Sequence, residues 1–286
     1  MTGTRHIMTE QHLSFEFFPP KTPEGQDKLR ATHQKLARFQ PEFFSVTYGA
    51  GGSTREHTRD IVFEIQQAGS MATPHLSFGG DSRDAVKTLL ESYQAAGIKR
   101  IVALRGDLPS GMGGMAQLIY ANQLVEFIRE HFGDAFELLV ACYPEIHPQA
   151  ESYDRDIYWL GQKFAAGASR AITQYFFNPD AYFYYLEQCQ KQGIEQPIIP
   201  GIMPITNFQN LVRFSDNCGA DVPRWIRQRL AQFGDDSASI RAFGLEVVTK
   251  LCETLLAGGA PGLHFYTMNQ ADTCMALCRN LGFAES

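Results

Sequence analysis

The sequence has 286 residues, of which 44% are hydrophobic and 20% are charged, a composition typical of a globular protein and not of a disordered chain. Its 25 Lys and Arg against 31 Asp and Glu give a net charge of −6, which argues against a surface built to bind nucleic acid. No apolar stretch reaches the roughly 18 residues of a membrane-spanning helix. The first 12 residues also lack the apolar segment of a signal peptide, so we predict a cytoplasmic protein with a flexible N-terminal tail over residues 1–12.

The six cysteines are scattered along the chain and form no CxxC motif. Cys274 and Cys278 are four residues apart on a predicted helix, where two thiols could share a metal ion. Two further ligands at zinc spacing are missing, however. We therefore predict buried, reduced thiols and no metal site.

Short apolar runs recur along the chain, and a longer amphipathic stretch follows each of them. Near-continuous apolar runs of this length are typical of strands buried on both faces of a parallel sheet. The eight runs are Leu13–Phe18, Phe43–Tyr48, Met71–Leu76, Arg100–Leu104, Glu137–Tyr143, Arg170–Phe176, Pro197–Met203 and Gly262–Met268.

The intervening stretches carry helix signals. Thr22 before Pro23 is a capping residue followed by proline at the first helical position. Asp81–Asp84 opens another helix, which ends at Gly97. The same pattern is found in Ala116–His131, Ser152–Ala166, Asp180–Gln192 and Asn207–Asp216.

Eight strand–helix units without a linker predict a single (β/α)8 TIM barrel over residues 13–286. The seventh connection is the longest, and it predicts extra helices over Pro223–Phe233 and Ser237–Leu256, before the last strand. An open doubly wound sheet is the alternative that the same pattern allows.

Active sites of such barrels lie at the C-terminal ends of the strands, and polar residues are frequent there in this sequence. Each could be an ordinary cap or loop residue, but their repetition at strand ends predicts one functional rim. They are Glu16, Thr47, Tyr48, His75, Arg105, Asp107, Tyr143, Glu145, His147, Gln174, Tyr266 and Asn269.

Glu16 lies among aromatic residues within Phe15–Pro20. Apolar surroundings penalise a carboxylate, so we expect a raised pKa and a role as general acid. An ion pair with an arginine inside the barrel is the alternative. Asp107, in the triplet that begins at Arg105, is a second candidate carboxylate, with a loop ion pair or helix cap as its alternative role.

Two glycine-rich segments could contact phosphate. Residues 49–54 join a strand to a helix, where free N–H groups meet anions, although a plain flexible loop fits equally well. Residues 111–116 fit a loose dinucleotide pattern but stand too far from the preceding strand, so we interpret them as a loop.

Eight segments together resemble the methylenetetrahydrofolate reductase family, in order from about Phe15 to Leu281. They are Phe15–Pro20 (FEFFPP), Ser45–Gly49 (SVTYG), Pro74–Leu76 (PHL), Ala103–Pro109 (ALRGDLP), Tyr143–Pro148 (YPEIHP), Arg170–Phe176 (RAITQYF), Ile199–Pro204 (IPGIMP) and His264–Asn269 (HFYTMN). The resemblance implies a barrel that holds noncovalent FAD without a Rossmann domain. It also implies that a nicotinamide cofactor reduces the flavin, which then reduces 5,10-methylenetetrahydrofolate to 5-methyltetrahydrofolate for methionine synthesis.

The resemblance also implies roles for individual residues. Glu16 matches the general acid that protonates N10 of the folate, and Asp107 matches an acidic residue near the flavin and the pterin. Gln174 and Phe214 match residues that contact folate and nicotinamide by turns. The implied FAD contacts are Thr47, Tyr48, Ala50, His75, Arg105, Gly106, Asp107, Tyr120, Ala121, Tyr143, His147, Asp156 and Lys163.

The sequence departs from the family at two positions that line the folate tail. Asn210 stands where relatives often have Gln, and Gln270 stands where Arg is common. The chain ends with the barrel, so we expect no regulation by S-adenosylmethionine, and we favour NADH over NADPH and expect a homo-oligomer. A flavin barrel acting on another carbon–nitrogen substrate and a folate-binding barrel without catalysis are the alternative functions.

Overall fold

Parallel strands separated by helices form the whole of the structure, a computed structural model that describes residues 12–48, 52–78, 81–105 and 120–286, with the backbone alone for residues 52–55. The strands are β1 His12–Phe17, β2 Phe43–Val46, β3 Ala72–Leu76, β4 Arg100–Ala103, β5 Glu137–Cys142, β6 Arg170–Thr173, β7 Ile198–Ile199, β8 Gly201–Ile202 and β9 Gly262–Tyr266. The helices are α1 Pro23–Ala37, α2 Gly52–Gln67, α3 Arg83–Ala95, α4 Ala121–Phe132, α5 Tyr153–Ala165, α6 Pro179–Lys191, α7 Phe208–Cys218, α8 Arg224–Gln232, α9 Ser237–Ala257 and α10 Ala271–Asn280.

The strand order, β7-β6-β5-β4-β3-β2-β1-β9-β8, confirms the predicted barrel and excludes the open doubly wound sheet. The sheet runs from β7 around to β8, which are consecutive in the chain, so its two ends meet at one place. The predicted extra helices before the last strand are α8 and α9.

The seventh predicted strand is two short strands, because Pro200 separates β7 from β8 and has no N–H to donate. β7 pairs with β6, and β8 pairs with β9. The next residue, Gly201, has no room for a side chain, because a Cβ atom there would lie 2.2 Å from the Thr173 carbonyl oxygen. The barrel is thus closed at a tight seam.

Two apolar layers hold the barrel. The larger one lies between strands and helices and includes Phe15, Phe17 and Phe44, whose rings stack in sequence along β1 and β2. A smaller cluster fills the interior, and its members come from five different strands. They are Phe43, Val102, Leu139, Ile172 and Ile199.

A network of charged side chains closes the N-terminal end of the barrel, which we call the floor. Glu42 pairs with Arg100 and with Arg170, at 2.9 Å for the latter, and Glu137 pairs with the same two arginines. His12, the first residue of β1, adds a contact of 2.7 Å to Glu42. The four Glu and Arg side chains are only 16–25% exposed, so each charge depends on its partners.

Most helix boundaries follow the predicted caps. The Thr22 hydroxyl accepts a hydrogen bond from the Gly25 amide at 3.1 Å, and Gly97 has a φ of +80° after α3. Cys274 and Cys278 both lie on α10 and are fully buried. Within the described ranges, no helix has the length and apolar character needed to cross a membrane.

Candidate functional site

The rim at the C-terminal ends of the strands brings the predicted polar residues to one end of the barrel, because all strand pairs are parallel. Three groups of them can be distinguished in the described residues. One surrounds Glu16, one lies beyond β5, and one lies between β6 and α7. Ala50, Gly106 and Asp107 fall outside the described residues, as do Gly49, Gly51 and the whole of the second glycine-rich segment, residues 111–116.

Glu16 lies on β1 with its side chain directed into the barrel, whereas its neighbours Phe15 and Phe17 face the helices. The segment just after β9, the strand paired with β1, holds the backbone at this position. The Thr267 hydroxyl donates to the Glu16 carbonyl oxygen at 2.6 Å. Next to it, the Asn269 side chain accepts from the Phe18 amide at 3.1 Å and donates to the Phe18 carbonyl oxygen at 2.8 Å.

Two histidines lie against the Glu16 carboxylate. His75 Nε2, on β3, is 3.2 Å from Glu16 Oε2, and His264 Nε2, on β9, is 3.4 Å from the same atom. The Ser45 hydroxyl is 3.5 Å away. His75 and His264 are 8% and 0% exposed, and the Glu16 side chain is 16% exposed, so the three groups form a buried acid–histidine cluster.

The expected rise in the Glu16 pKa is wrong. Burial does raise it, but the charge on His75 and the hydrogen bond from His264 outweigh burial and lower the pKa from 4.5 to about 2. The physical reason is the alternation of a strand: the aromatic neighbours in sequence face away, and the neighbours in space are histidines. The predicted alternative, an arginine partner, is replaced by these two histidines.

His264 received no role from the sequence, although it lies in one of the motifs. The pairing of β1 with β9 places it opposite Ser14, and the Ser14 hydroxyl is 2.7 Å from His264 Nδ1. A histidine at an inward position of an otherwise apolar strand is the signal that could have found it. Only the pairing of the first and last strands shows which carboxylate it faces.

A second group lies beyond β5. The His147 amide donates to Asp156 Oδ2 at 2.8 Å, and the His147 ring packs edge-on against Tyr143 with centroids 4.5 Å apart. Burial lowers the pKa of His147, Asp156 opposes this, and Arg105 and Lys163 add to it, so the four charged groups act on one another. Lys163 is half-buried and donates to the Ala141 carbonyl oxygen at 2.8 Å.

The other predicted cofactor contacts in the described residues lie just after β2 and at the start of α4. The Tyr48 hydroxyl donates to Asp81 at 3.0 Å, and the Thr47 amide donates to the Phe17 carbonyl oxygen at 2.9 Å. Tyr120 and Ala121 begin α4, where Tyr120 is 54% exposed and stacks on Trp159 with an interplanar angle of 11°. The ring centroids of this pair are 6.3 Å apart, and Trp159 lies on α5, the helix that also carries Asp156 and Lys163.

The third group contains the predicted substrate contacts. Gln174 follows β6, and its side-chain oxygen accepts from the Tyr175 amide at 3.0 Å. On α7, Asn210 Oδ1 accepts from Arg213 at 3.1 Å, and the Arg213 guanidinium lies 5.1 Å from the centre of the Phe214 ring. Gln270 is exposed at the start of α10. β8 and β9 are neighbours, so α7 and α10 begin side by side on the rim.

A small cavity separates β5 and β6 from the end of α7. Its lining residues are Tyr143, Pro144, Glu145, Ile146, Gln174, Tyr175, Cys218, Gly219 and Ala220. Tyr266 spans the interior nearby, since its hydroxyl donates to the Thr173 carbonyl oxygen at 2.6 Å. Burial raises the pKa of Tyr266, with Glu16 and Tyr143 contributing, so this side chain lies between the first two groups.

Comparison with known proteins adds an independent observation. Residues 4–282 match the profile of a family described as methylenetetrahydrofolate reductase. The chain is 39% identical over 277 residues to the 5,10-methylenetetrahydrofolate reductase of Escherichia coli (strain K12), covering 96% of this chain and 92% of that protein. It is 35% identical over 287 residues to methylenetetrahydrofolate reductase (NADH) 1 of Arabidopsis thaliana, covering 96% of this chain and 48% of that protein.

Among solved structures, the fold is similar to that of a Clostridium thermocellum protein described as binding two copies of 5-methyl-5,6,7,8-tetrahydrofolic acid. The TM-score is 0.65 at 14% sequence identity, and the match covers 95% of this chain and 96% of that one. At this identity the likeness concerns the barrel fold.

Proposed function

The chain belongs to the methylenetetrahydrofolate reductase family, and on that premise we propose that it reduces 5,10-methylenetetrahydrofolate to 5-methyltetrahydrofolate with NADH through noncovalently bound FAD. The observation that carries this proposal is the Glu16 carboxylate inside the barrel mouth, held between His75 and His264. Folate as the ligand is further supported by the fold of the folate-binding protein of C. thermocellum.

The residues beyond β5 fit FAD by their chemistry. A dinucleotide needs cations for its diphosphate, acceptors for its ribose hydroxyls and a flat apolar surface for its adenine. Arg105 and Lys163 are the cations, Asp156 is the acceptor, and the Tyr120–Trp159 pair is the flat surface. When bound, FAD would supply hydride transfer between the nicotinamide and the folate.

The acid–histidine cluster would supply the proton that opens the folate ring at N10. Glu16 is ionised in this environment, so it has to take up a proton from water before it can give one to N10. His75 and His264 would hold the carboxylate in place for this step, through their contacts of 3.2 and 3.4 Å with Oε2.

The third group would orient the two substrates in turn. Gln174 hydrogen-bonds the pterin or the nicotinamide, and Phe214 packs on an aromatic ring of either ligand. Arg213 lies beside Phe214 and Asn210 and can meet the carboxylates of the folate tail in place of the arginine that Gln270 replaces. Arg213→Gln should therefore weaken folate binding more than NADH binding.

We also propose that the protein is cytoplasmic, forms a homo-oligomer and supplies methyl groups for methionine synthesis. The purified protein tests the core of the proposal. It should be yellow, release FAD into the supernatant on denaturation, bleach with NADH faster than with NADPH under anaerobic conditions, and regain its colour with 5,10-methylenetetrahydrofolate.

The alternative functions give different results in the last two steps of this test, bleaching by NADH and recovery of colour with methylenetetrahydrofolate. A flavin barrel acting on another carbon–nitrogen substrate would bleach with NADH but stay bleached with methylenetetrahydrofolate. A folate-binding barrel without catalysis would bind 5-methyltetrahydrofolate and show neither bleaching nor reoxidation. FMN in the supernatant, or flavin that stays with the precipitated chain, would contradict noncovalent FAD.

A further inference from the structure

The connection after β5 holds the far end of α7. Glu145 in this connection accepts a hydrogen bond through Oε2 from the Asp221 amide at 2.8 Å, just beyond α7. Pro148 of the same connection packs against Gly219, which ends α7 with a φ of +75° and where a Cβ atom would lie 2.9 Å from Pro148. Two contacts from one short segment therefore fix the C-terminal end of this helix.

The backbone between these contacts is strained. Ile146 has a φ of +70°, which a β-branched residue rarely adopts. Its amide donates to the Tyr143 carbonyl oxygen at 3.2 Å, which makes a tight turn. The turn directs Glu145 toward Asp221 and the His147 amide toward Asp156. Strained residues of this kind persist where surrounding contacts hold them, and here the contacts lie on both sides.

Glu145 is half-buried, and one of the groups around it is a second carboxylate, that of Asp221. The elements around it present Asp221 from the segment after α7, Cys218 from α7, Tyr175 from the segment after β6 and Tyr143 from its own connection. Burial raises the pKa of Glu145 to about 7, the Asp221 charge adds to this, and the Asp221 amide partly opposes it. Protonation of Glu145 therefore changes within the physiological pH range.

We propose that Glu145 is a positioning residue that holds α7, and with it Phe214 and Asn210, against the rim while it is protonated and releases the helix when it ionises. Phe214 directly precedes Ser215, whose hydroxyl lies 3.0 Å from the Tyr175 hydroxyl, so a shift of this end of α7 moves the ring that would pack on substrates. The effect on turnover rests on the proposed function, whereas the motion of α7 does not.

The direction of the pH effect follows from the linkage between proton binding by Glu145 and the position of α7. The held arrangement raises the pKa of Glu145, so it binds the proton more tightly than an arrangement in which the carboxylate reaches water. Protonation therefore favours the held helix, and rising pH favours release. With a pKa of about 7 when held and an ordinary pKa when released, the opening equilibrium rises roughly tenfold between pH 6 and pH 8.

Hydrogen exchange at the Asp221 amide tests the motion without any substrate. After correction for the intrinsic pH dependence of exchange, opening in the wild-type protein should rise roughly tenfold from pH 6 to pH 8. Glu145→Gln keeps a neutral acceptor and should show protection that does not change with pH. Glu145→Ala should be open at both pH values, and Glu151→Gln, a change of an exposed glutamate in the same connection, should behave as wild type.

Steady-state kinetics tests whether the position of α7 affects the binding of substrate. The KM for methylenetetrahydrofolate is measured in the wild-type protein and in Glu145→Gln, and the ratio of wild type to variant should rise over the same pH range. Both proteins contain the same acid–histidine cluster, so its effect on KM is removed from the ratio. At saturating substrate kcat should change little.

The two measurements separate the possible failures. Flat wild-type exchange, or an equal pH slope in Glu145→Gln, would overturn the switch even if the enzyme reduces methylenetetrahydrofolate. The expected exchange pattern without any turnover would support the switch and reject the proposed function. A KM ratio that is flat while exchange changes as expected would overturn the coupling of α7 to the substrate site.

Discussion

Ser14 and His264 lie opposite each other on the first and last strands, with Ser14 Oγ 2.7 Å from His264 Nδ1. An ionised Glu16 can only accept hydrogen bonds, so the His264 Nε2 atom that faces it must carry the hydrogen. Ser14 donates to Nδ1 when the ring is neutral and can accept from it when the ring is charged. The serine thus keeps His264 turned toward Glu16 in both protonation states.

Replacing His264 should change the pH dependence of the folate half-reaction. In His264→Asn the Glu16 carboxylate loses a hydrogen bond and a positive neighbour, so its pKa should rise from about 2 toward the value that burial dictates. The limb on which the rate of flavin reoxidation falls as Glu16 loses its proton should therefore move to higher pH. Ser14→Ala should produce a smaller shift in the same direction, and an unchanged limb in both variants would show that His264 does not act on Glu16.

Glu16→Gln should separate the two half-reactions. Reduction of the flavin by NADH requires no proton from the protein, so bleaching should continue at a similar rate. Opening of the folate ring requires one, and general acids contribute about 10²–10⁴-fold, so reoxidation by methylenetetrahydrofolate should slow by about that factor. Anaerobic stopped-flow measures both steps. Equal losses in the two steps would mean that Glu16 positions ligands and is not the acid.

Asp107→Asn should slow reduction of the folate and make the flavin easier to reduce. A negative charge near the flavin opposes the anionic reduced form, and its removal favours that form. The midpoint potential of the bound flavin is the measurement. A potential that stays the same or falls would place Asp107 away from the flavin ring.

The charged floor should contribute to stability and not to catalysis. Glu42→Gln leaves Arg100 and Arg170 with one carboxylate partner fewer in a mostly buried site, so we expect a loss of roughly 3 kcal/mol in the free energy of unfolding. Glu64→Gln is the control, since the Arg30–Glu64 pair is largely exposed and its loss should destabilise the protein much less. Denaturant unfolding measures the loss in each variant. Similar losses would mean that the floor stabilises the protein no more than an exposed ion pair does.

The seam at Pro200 should tolerate no side chain at the next residue. In Gly201→Ala the new methyl group would meet the Thr173 carbonyl and the Tyr266 ring, so the variant should lose at least about 2 kcal/mol. Gly161→Ala adds the same atom on α5, where the nearest neighbour is 3.7 Å away, and should gain up to about 1 kcal/mol. Thermal unfolding measures both, and a neutral Gly201→Ala would show that the seam can relax.

The barrel and its rim were predictable because they depend on local signals. Apolar runs, caps such as Thr22 and the glycine after α3 determine where strands and helices begin and end. Parallel strands then bring Glu16, His75, Tyr143 and Gln174 to one end without any knowledge of their contacts.

The electrostatics of Glu16 could not be predicted from its neighbours in the chain. Its pKa depends on His75 and His264, which lie 59 and 248 residues away in sequence. The same holds for Glu145, whose partner at Asp221 comes from the other side of the rim. Pro200 is evident in the sequence, but the seam between β7 and β8 is not. To recognise the seam one must know the strands with which β7 and β8 pair.

The charged floor and the apolar cluster above it close the N-terminal end of the barrel, so among the described residues a ligand can reach Glu16 from the rim. Under the proposed function, nicotinamide and folate would both have to approach Glu16 and α7 from the rim. A large excess of either substrate should then inhibit the reaction by occupying the place of the other.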